Sequence, residues 1–311
     1  MPAFLSDYTL LDEIGHGAFA SVYKVRHNTL GYIRAVRVLN ETIAKGEQDP
    51  VWLKFLNECR ILLRLGNGNN PHIVHIYQPL LRDNKALVEM DFVDGMDLHH
   101  YLESQNNFVE CQEVERLARE MGGALAFCHH DIYRSCMSRD EDNLQDDPED
   151  GSRVLIDDAK KAQLVKKYQV IHNDLHSGNI MRRNDGGGFV LLDFGLSIQD
   201  GDVLHSSTRR GGAPEYKSPE KWDNESTITC QSDIFSLGVI LYEMLTGKVP
   251  FKFDTANPNQ IEAEYRLMHA IKSQPVTPIY EARKRCFEAA HPGVVYTTDY
   301  PEWLEVLIMR C

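Results

Sequence analysis

The apolar residues of this chain keep one rhythm as far as Gly95 and a different one after it, and that change limits the possible folds more than composition does. From Tyr8 to Leu39 they fall into short runs rich in Val, Ile and Tyr, broken by Gly15, Gly17 and the turn-like HNTLGY around Asn28 and Gly31. This pattern predicts three antiparallel strands. Between Val51 and Leu65, Phe55, Leu56, Cys59, Leu62 and Leu63 recur at helical spacing, and GNGNNP stops the helix. Two more strands are predicted over 73–80 and 86–92. Beyond Gly95, 97–102 and 114–129 read as helices, and long helices then alternate with short loops. The architecture predicted is α+β: a small β-rich lobe with one main helix (1–93) joined to a larger α-rich lobe (94–311). A chain of 311 residues, 42% of them hydrophobic, can build a core in each.

One segment, about 133–167, interrupts the second lobe as an insertion. It contains RDEDNLQDDPEDG, which offers almost nothing to bury and reads as a solvated loop. The stretch 152–168 follows as an amphipathic helix with Leu155, Ile156, Ala159 and Leu164 on one side. An insertion tolerated at the surface accounts for it; docking of a partner is the alternative. A net charge of −13 argues against nucleic acid as a partner and favours basic substrates. The seven cysteines are odd in number and never form a CxxC pair, so they read as reduced thiols and not as zinc ligands. No apolar run reaches the roughly 20 residues that cross a bilayer, and the N-terminal residues lack the layout of a signal peptide. The expectation is a cytoplasmic protein with no membrane contact.

Three motifs carry chemistry. GHGAFASV sets Gly15 and Gly17 between two strands, where bare backbone can approach phosphate and accept positive φ while Phe19 covers the loop tip. A plain hairpin turn has the same look. IHNDLHSGNIM, at 171–181, puts Asp174 and Asn179 on a tight polar loop; one can meet a substrate hydroxyl and the other a hard metal ion, or both can simply satisfy backbone groups. VLLDFGL, at 190–196, offers Asp193 at the end of a strand, well placed to hold a metal that bridges phosphates. Each is ambiguous alone. Their order is not: the glycine loop, Arg37 on a strand, Glu58 on the helix, the Asp174/Asn179 loop, Asp193, PEYKSPE and SDIFSLGVILYEMLTG follow one another.

In that order the chain resembles the eukaryotic-type protein kinase family, from Tyr8 to about Phe251 and on toward the end. The resemblance implies a bilobal kinase fold that binds ATP with Mg²⁺ and phosphorylates a protein hydroxyl, Ser/Thr rather than Tyr. Position by position, it implies that Gly15 and Gly17 cover the phosphates and that Glu58 pairs with residue 37. Val22, Ala35 and Met181 would sandwich the adenine, with Met90 as gatekeeper, Asp91 to Val93 as the hinge and Asp97 at the ribose. Asp174 would take the acceptor proton, and Asn179 and Asp193 would hold magnesium. Leu62, Ile76, His172 and Phe194 would form a stacked spine. Asp233 would brace the catalytic loop. Small-molecule phosphotransferases share a loop similar to HNDLHSGN but generally lack the peptide-docking GAPEYKSPE.

The departures from the pattern are specific. Arg37 stands where the family has lysine, and a forked guanidinium keeps the charge while changing its reach. A misplacement of about 1 Å can cost on the order of 10²-fold in rate, so weak transfer with an intact fold is expected. An engineered lysine-to-arginine change and a catalytically dead pseudokinase scaffold are the competing explanations. Lys24 is a candidate to substitute, whereas Arg34, three residues back, points to the other face of the strand. Asn173 replaces the arginine of HRD, which removes the need for a phosphate to neutralise it; Ser206, Ser207 and Thr208 are candidate phosphosites all the same. His176 replaces the usual loop lysine and Ala213 the threonine that would bond it, so both ends of one interaction are gone. The chain stops before the arginine that would pair with Glu220, as a longer protein cut here would.

Overall fold

The computed structural model describes residues 5–17, 19–66, 68–137, 158–195, 197–199, 213–223 and 226–311. The acidic run of the insertion, Leu155, Ile156 and the candidate phosphosites Ser206, Ser207 and Thr208 lie outside these. The chain divides into two compact units with the boundary between Asp94 and Gly95; the first also takes up residues from Arg134.

The first unit is a five-stranded antiparallel sheet in the order β1-β2-β3-β5-β4 with one long helix. β1 (Tyr8–His16), β2 (Ala20–His27) and β3 (Ile33–Leu39) are the three predicted strands, followed by α1 (Pro50–Gly66), β4 (Ile76–Arg82) and β5 (Lys85–Asp91). Pro79 is tolerated because β4 is an edge strand with a register shift at that point. The β4–β5 hairpin closes on Asp83 and Asn84, both at positive φ, the pair a tight two-residue turn demands. Asp49 starts α1: its carboxylate accepts from the amides of Val51, Lys45 and Ala44, and these bonds, Val51 foremost, hold its pKa below the usual carboxylate range. α1 buries Trp52, Phe55, Cys59 and Leu62; Leu56 and Leu63, expected on that face, are half-buried beside it.

The second unit holds a three-stranded sheet, β6 (Gly95–Asp97), β8 (Ile180–Arg183) and β9 (Phe189–Leu191), in the order β6-β8-β9, and a short pair of β7 (Val170–Ile171) with β10 (Ile198–Gln199). Its helices among the described residues are α2 (Leu98–Ser104), α3 (Cys111–Ala126), the start of α4 (Ile132–Met137), which passes into the first unit at Arg134, α5 (Asp158–Tyr168), α6 (Gln231–Thr246), α7 (Gln260–Ser273), α8 (Ile279–Ala290) and α9 (Glu302–Arg310). α5 is the described part of the helix predicted over 152–168; Ala159 is exposed and Leu164 half-buried. Every residue of α6 from Ser236 to Thr246 is buried, so this helix is the axis around which the unit packs. It ends at Gly247, whose φ of 75° suits glycine and where a Cβ would lie 2.3 Å from Asn107 O.

Arg283 of α8 is the largest fully buried side chain. It is matched on every side: Nε and Nη2 donate to Asp299, Nη1 donates to Val109 O at 2.9 Å and Leu245 O at 3.0 Å, and the guanidinium lies 4.0 Å from the Phe108 ring centroid. It thereby caps the last turn of α6 and ties it to the loop before α3. Arg283→Met would leave Asp299 with Tyr296 alone as a side-chain donor and take the guanidinium from two buried carbonyls, and the expected cost is about 3–5 kcal/mol. A urea titration checks this as a fall in the unfolding midpoint at unchanged slope.

Candidate active site

Strand register gathers the predicted residues of the first unit. Arg37 sits opposite Val22 on β2 and Val88 on β5, while Ala35 sits opposite Lys24 and Met90. Paired residues share a face and neighbours alternate, so Val22, Ala35, Arg37 and Met90 lie on one face, with Gly15 opposite Val22. From α1, Glu58 reaches the same face and accepts a hydrogen bond from Arg37 Nη1; the two side chains are only 14% and 16% exposed. The opposite face carries Val36 and Val38 into a core with Leu5, Tyr8, Val25 and Leu87. Arg34 lies on that face too, 3.3 Å from Glu89 and packed on the rings of Tyr32 and Tyr77, so it is no substitute for Arg37. Lys24 shares the face of Ala35 but rests 4.1 Å from the Phe92 ring centroid.

The glycine loop differs from expectation in one respect. Neither Gly15 nor Gly17 takes a positive φ, and a Cβ on Gly15 would meet Val22 at 3.5 Å, an ordinary contact. The conformation alone does not require these glycines; what they leave is bare backbone. Asn40 supports the loop, its Nδ2 donating to Gly17 O and its amide to Phe19 O, both at 2.9 Å, and Phe19 is exposed at the tip. In the stretch 91–93 the Asp91 amide donates to His75 O and its carboxylate accepts from Tyr77 OH, while Val93 is buried.

In the second unit the loop after β7 is built on one buried carboxylate. Asp233, in the first turn of α6 and inaccessible to solvent, accepts from the amides of His172 and Asn173 and from His129 Nε2, each at 2.8 Å. Burial alone would push its pKa up; the hydrogen bond and charge of His129, with His172 and Lys221, outweigh this and hold it low. Asn173 has φ 64°, a left-handed geometry that asparagine accepts. Lys221 Nζ donates to its carbonyl at 2.6 Å. His172 donates from Nε2 to Leu192 O, which leaves Nδ1 to accept from the Asp174 amide, and its ring stacks edge-on against Phe194 with centroids 4.6 Å apart. Asn179 Nδ2 donates to Asp174 O at 2.9 Å, and Asp193, at φ 46°, accepts from the Gly195 amide. Met181 on β8 faces Asp97 across β6; the Asp97 carboxylate caps α2 and bonds His100.

These groups fit magnesium. An asparagine amide oxygen and an aspartate carboxylate are hard ligands, too few for a full protein cage, and a Mg²⁺ site of this kind is completed by phosphate and water.

His176 is not the cation that lysine would be. Its Nδ1 accepts from the Gly178 amide, its Nε2 lies 4.0 Å from Asp174, and burial lowers its pKa more than Asp174 raises it. The imidazole is therefore neutral near pH 7. Below the loop, Tyr216 donates to Glu243 at 2.6 Å and contacts Ser177 Oγ, while Ser236 Oγ donates to Tyr216 O. Glu220 accepts from Ser232 Oγ. His129, Lys221 and Glu243 were not singled out from the sequence. Their partners lie 104, 48 and 27 residues away, and no local signal marks them.

Asp233→Asn would turn an amide N–H toward backbone donors and is expected to cost on the order of 3 kcal/mol by stranding buried groups. Because the folded pKa of Asp233 is below the usual value of about 3.9, its contribution is complete above that pH and is lost as pH falls through the folded value. Urea midpoints of wild type and variant should therefore differ most at neutral pH and converge in acid.

The protein tyrosine and serine/threonine kinase family profile matches residues 8–292. A probable serine/threonine-protein kinase of Clostridium acetobutylicum is 27% identical over 98% of this chain and 36% of its own length. Serine/threonine-protein kinase PkaA of Streptomyces coelicolor is 26% identical over 90% of the chain and 46% of its own. An SNF1-related protein kinase catalytic subunit alpha of Arabidopsis thaliana is 26% identical over 86% and 45%. The chain thus spans less than half the length of these relatives. With the match covering most of its residues, the chain belongs to the protein tyrosine and serine/threonine kinase family.

Proposed function

We propose that this chain binds ATP with Mg²⁺ and transfers the γ-phosphate to a serine or threonine hydroxyl of a protein. The observation that carries this reading is the loop 172–179, where Asp233 holds two consecutive amides and Asn179 holds the Asp174 carbonyl. A carboxylate on a loop so restrained can orient an acceptor hydroxyl and take its proton as the oxygen attacks the γ-phosphorus and ADP leaves. Asn179 and Asp193 would hold the metal, which would supply neutralisation of charge on the phosphates. Arg37, kept in place by Glu58, supplies the cation at the phosphates, and Gly15 and Gly17 cover them. Of the first unit, Val22 and Ala35 are assigned to the adenine face, Met90 to the gatekeeper position and Asp91 to Val93 to the adenine edge; of the second, Met181 is assigned to the adenine and Asp97 to the ribose. In this reading 1–93 and 94–311 are the two lobes.

The preference for Ser/Thr follows the names of the relatives, and the net charge of −13 favours basic substrates. A cytoplasmic site is supported by the free thiols of Cys59, Cys111, Cys128, Cys230, Cys286 and Cys311. Among the described residues no helix is long and apolar enough to cross a membrane. Arg37 is the feature of the site that favours a purely scaffolding role, and the filled acid-base and metal positions weigh against it.

Transfer of labelled γ-phosphate to the protein itself and to a basic peptide mixture tests the proposal. Asp174→Ala should lower transfer by about 10²–10⁴-fold. Arg37→Lys, which keeps the charge and shortens its reach, should raise it by up to about 10²-fold, and Arg37→Met should lower it. Transfer that is absent from the wild type and from Arg37→Lys alike would refute the reading.

A further inference from the structure

Lys221 is a buried cation beneath the loop that carries Asp174, on the 3-10 turn Pro219–Trp222, and it is only 7% exposed. It lines one small cavity with Asn173, Asp174, Tyr216 and Lys217. Burying an ammonium costs several kcal/mol unless it is matched by hydrogen bonds and opposite charge. Here the match is specific: Nζ donates to Asn173 O at 2.6 Å, and Asp233, Asp174 and Glu220 offset part of the desolvation that lowers its pKa.

The partner it grips decides what the contact does. The carbonyl of Asn173 and the amide of Asp174 belong to one peptide plane. Lys221 holds the carbonyl side of that plane, and His172 Nδ1 accepts from the amide side at 3.3 Å. The preceding plane is held by Asp233 through the Asn173 amide. Asn173, at φ 64°, is thus a left-handed residue pinned on both sides by buried charges of opposite sign. Rotation of the second plane would swing the Cα of Asp174 and re-aim its carboxylate. The neutral His176, 4.0 Å away, provides no comparable restraint.

We propose that Lys221 is a positioning residue for Asp174: by holding Asn173 O it sets the peptide plane from which the carboxylate projects, so the seating of residues 213–222 governs the aim of Asp174. This rests on the role given to Asp174 above. The turn is itself anchored by the Ser232 bond to Glu220 and the Ser236 bond to Tyr216 O, which tie the clamp to the helix that carries Asp233.

The test uses the full chain with Lys221→Met and Lys221→Arg. The methionine variant should lower kcat by about 30–100-fold with KM for ATP changed less than about threefold, because the aim of one group is lost and not the binding of nucleotide. Its melting temperature should fall, since Asn173 O and the neighbouring carboxylates lose a buried partner, so kcat is read well below the unfolding transition. The Asp174 amide should exchange with solvent at least about 10-fold faster. The arginine variant, which can still donate to Asn173 O, should recover most of kcat. An unchanged exchange rate at Asp174 would overturn the clamp, as would wild-type kcat in the methionine variant. A kcat loss that merely follows the melting temperature and is not rescued by arginine would overturn it as well. Should neither the wild type nor Arg37→Lys transfer phosphate, the kinase reading fails on that result, while the exchange measurement still decides the clamp.

Discussion

The carboxylate of Asp233 is the constraint on which the second unit depends. It is charged, inaccessible to solvent, and placed in the first turn of a helix whose remaining turns are buried on all sides. A buried charge is stable only when its lone pairs are occupied, and the groups that occupy these are the amides of His172 and Asn173 and the ring of His129. The same bonds that make Asp233 tolerable therefore fix the loop that carries Asp174 and Asn179. Core and chemistry are coupled through one side chain.

The first unit follows the same logic with a different element. Its sheet sends Val36 and Val38 into an apolar core, and the two-residue period then obliges Ala35 and Arg37 to face the other way. Arg37 is not left exposed there, because Glu58 on α1 meets it. The departure from lysine is thus absorbed by a formed ion pair, and what it changes is reach and geometry and not the sign of the charge.

Much of this was legible in the chain. The antiparallel strands of the first unit, its long helix, the change of architecture at Gly95 and the order of the glycine loop, Asp174, Asn179 and Asp193 all depend on periodicity or on contiguous motifs. Other features were not legible because they are long-range. His129 was part of an ordinary helical pattern until the fold brought it to Asp233, and Lys221 was one more charge in PEYKSPEKW until it was buried against Asn173. The positive φ expected at Gly15 and Gly17 is absent because the hairpin closes through the bonds of Asn40 and Ala20 to the loop, which do not require that conformation.

The sequence by itself determined which residues alternate, which helices are amphipathic, where the breakers stand and which chemistry-bearing groups exist in what order. These are local properties, set by backbone sterics and the spacing of apolar side chains. Only the tertiary structure decided that Asp233, His129 and Lys221 converge on one loop, that His176 is neutral and that Arg283 closes the end of α6. Burial supplies the reason: the charge state and partners of a side chain depend on what the rest of the chain packs around it, and that is not written in its neighbours.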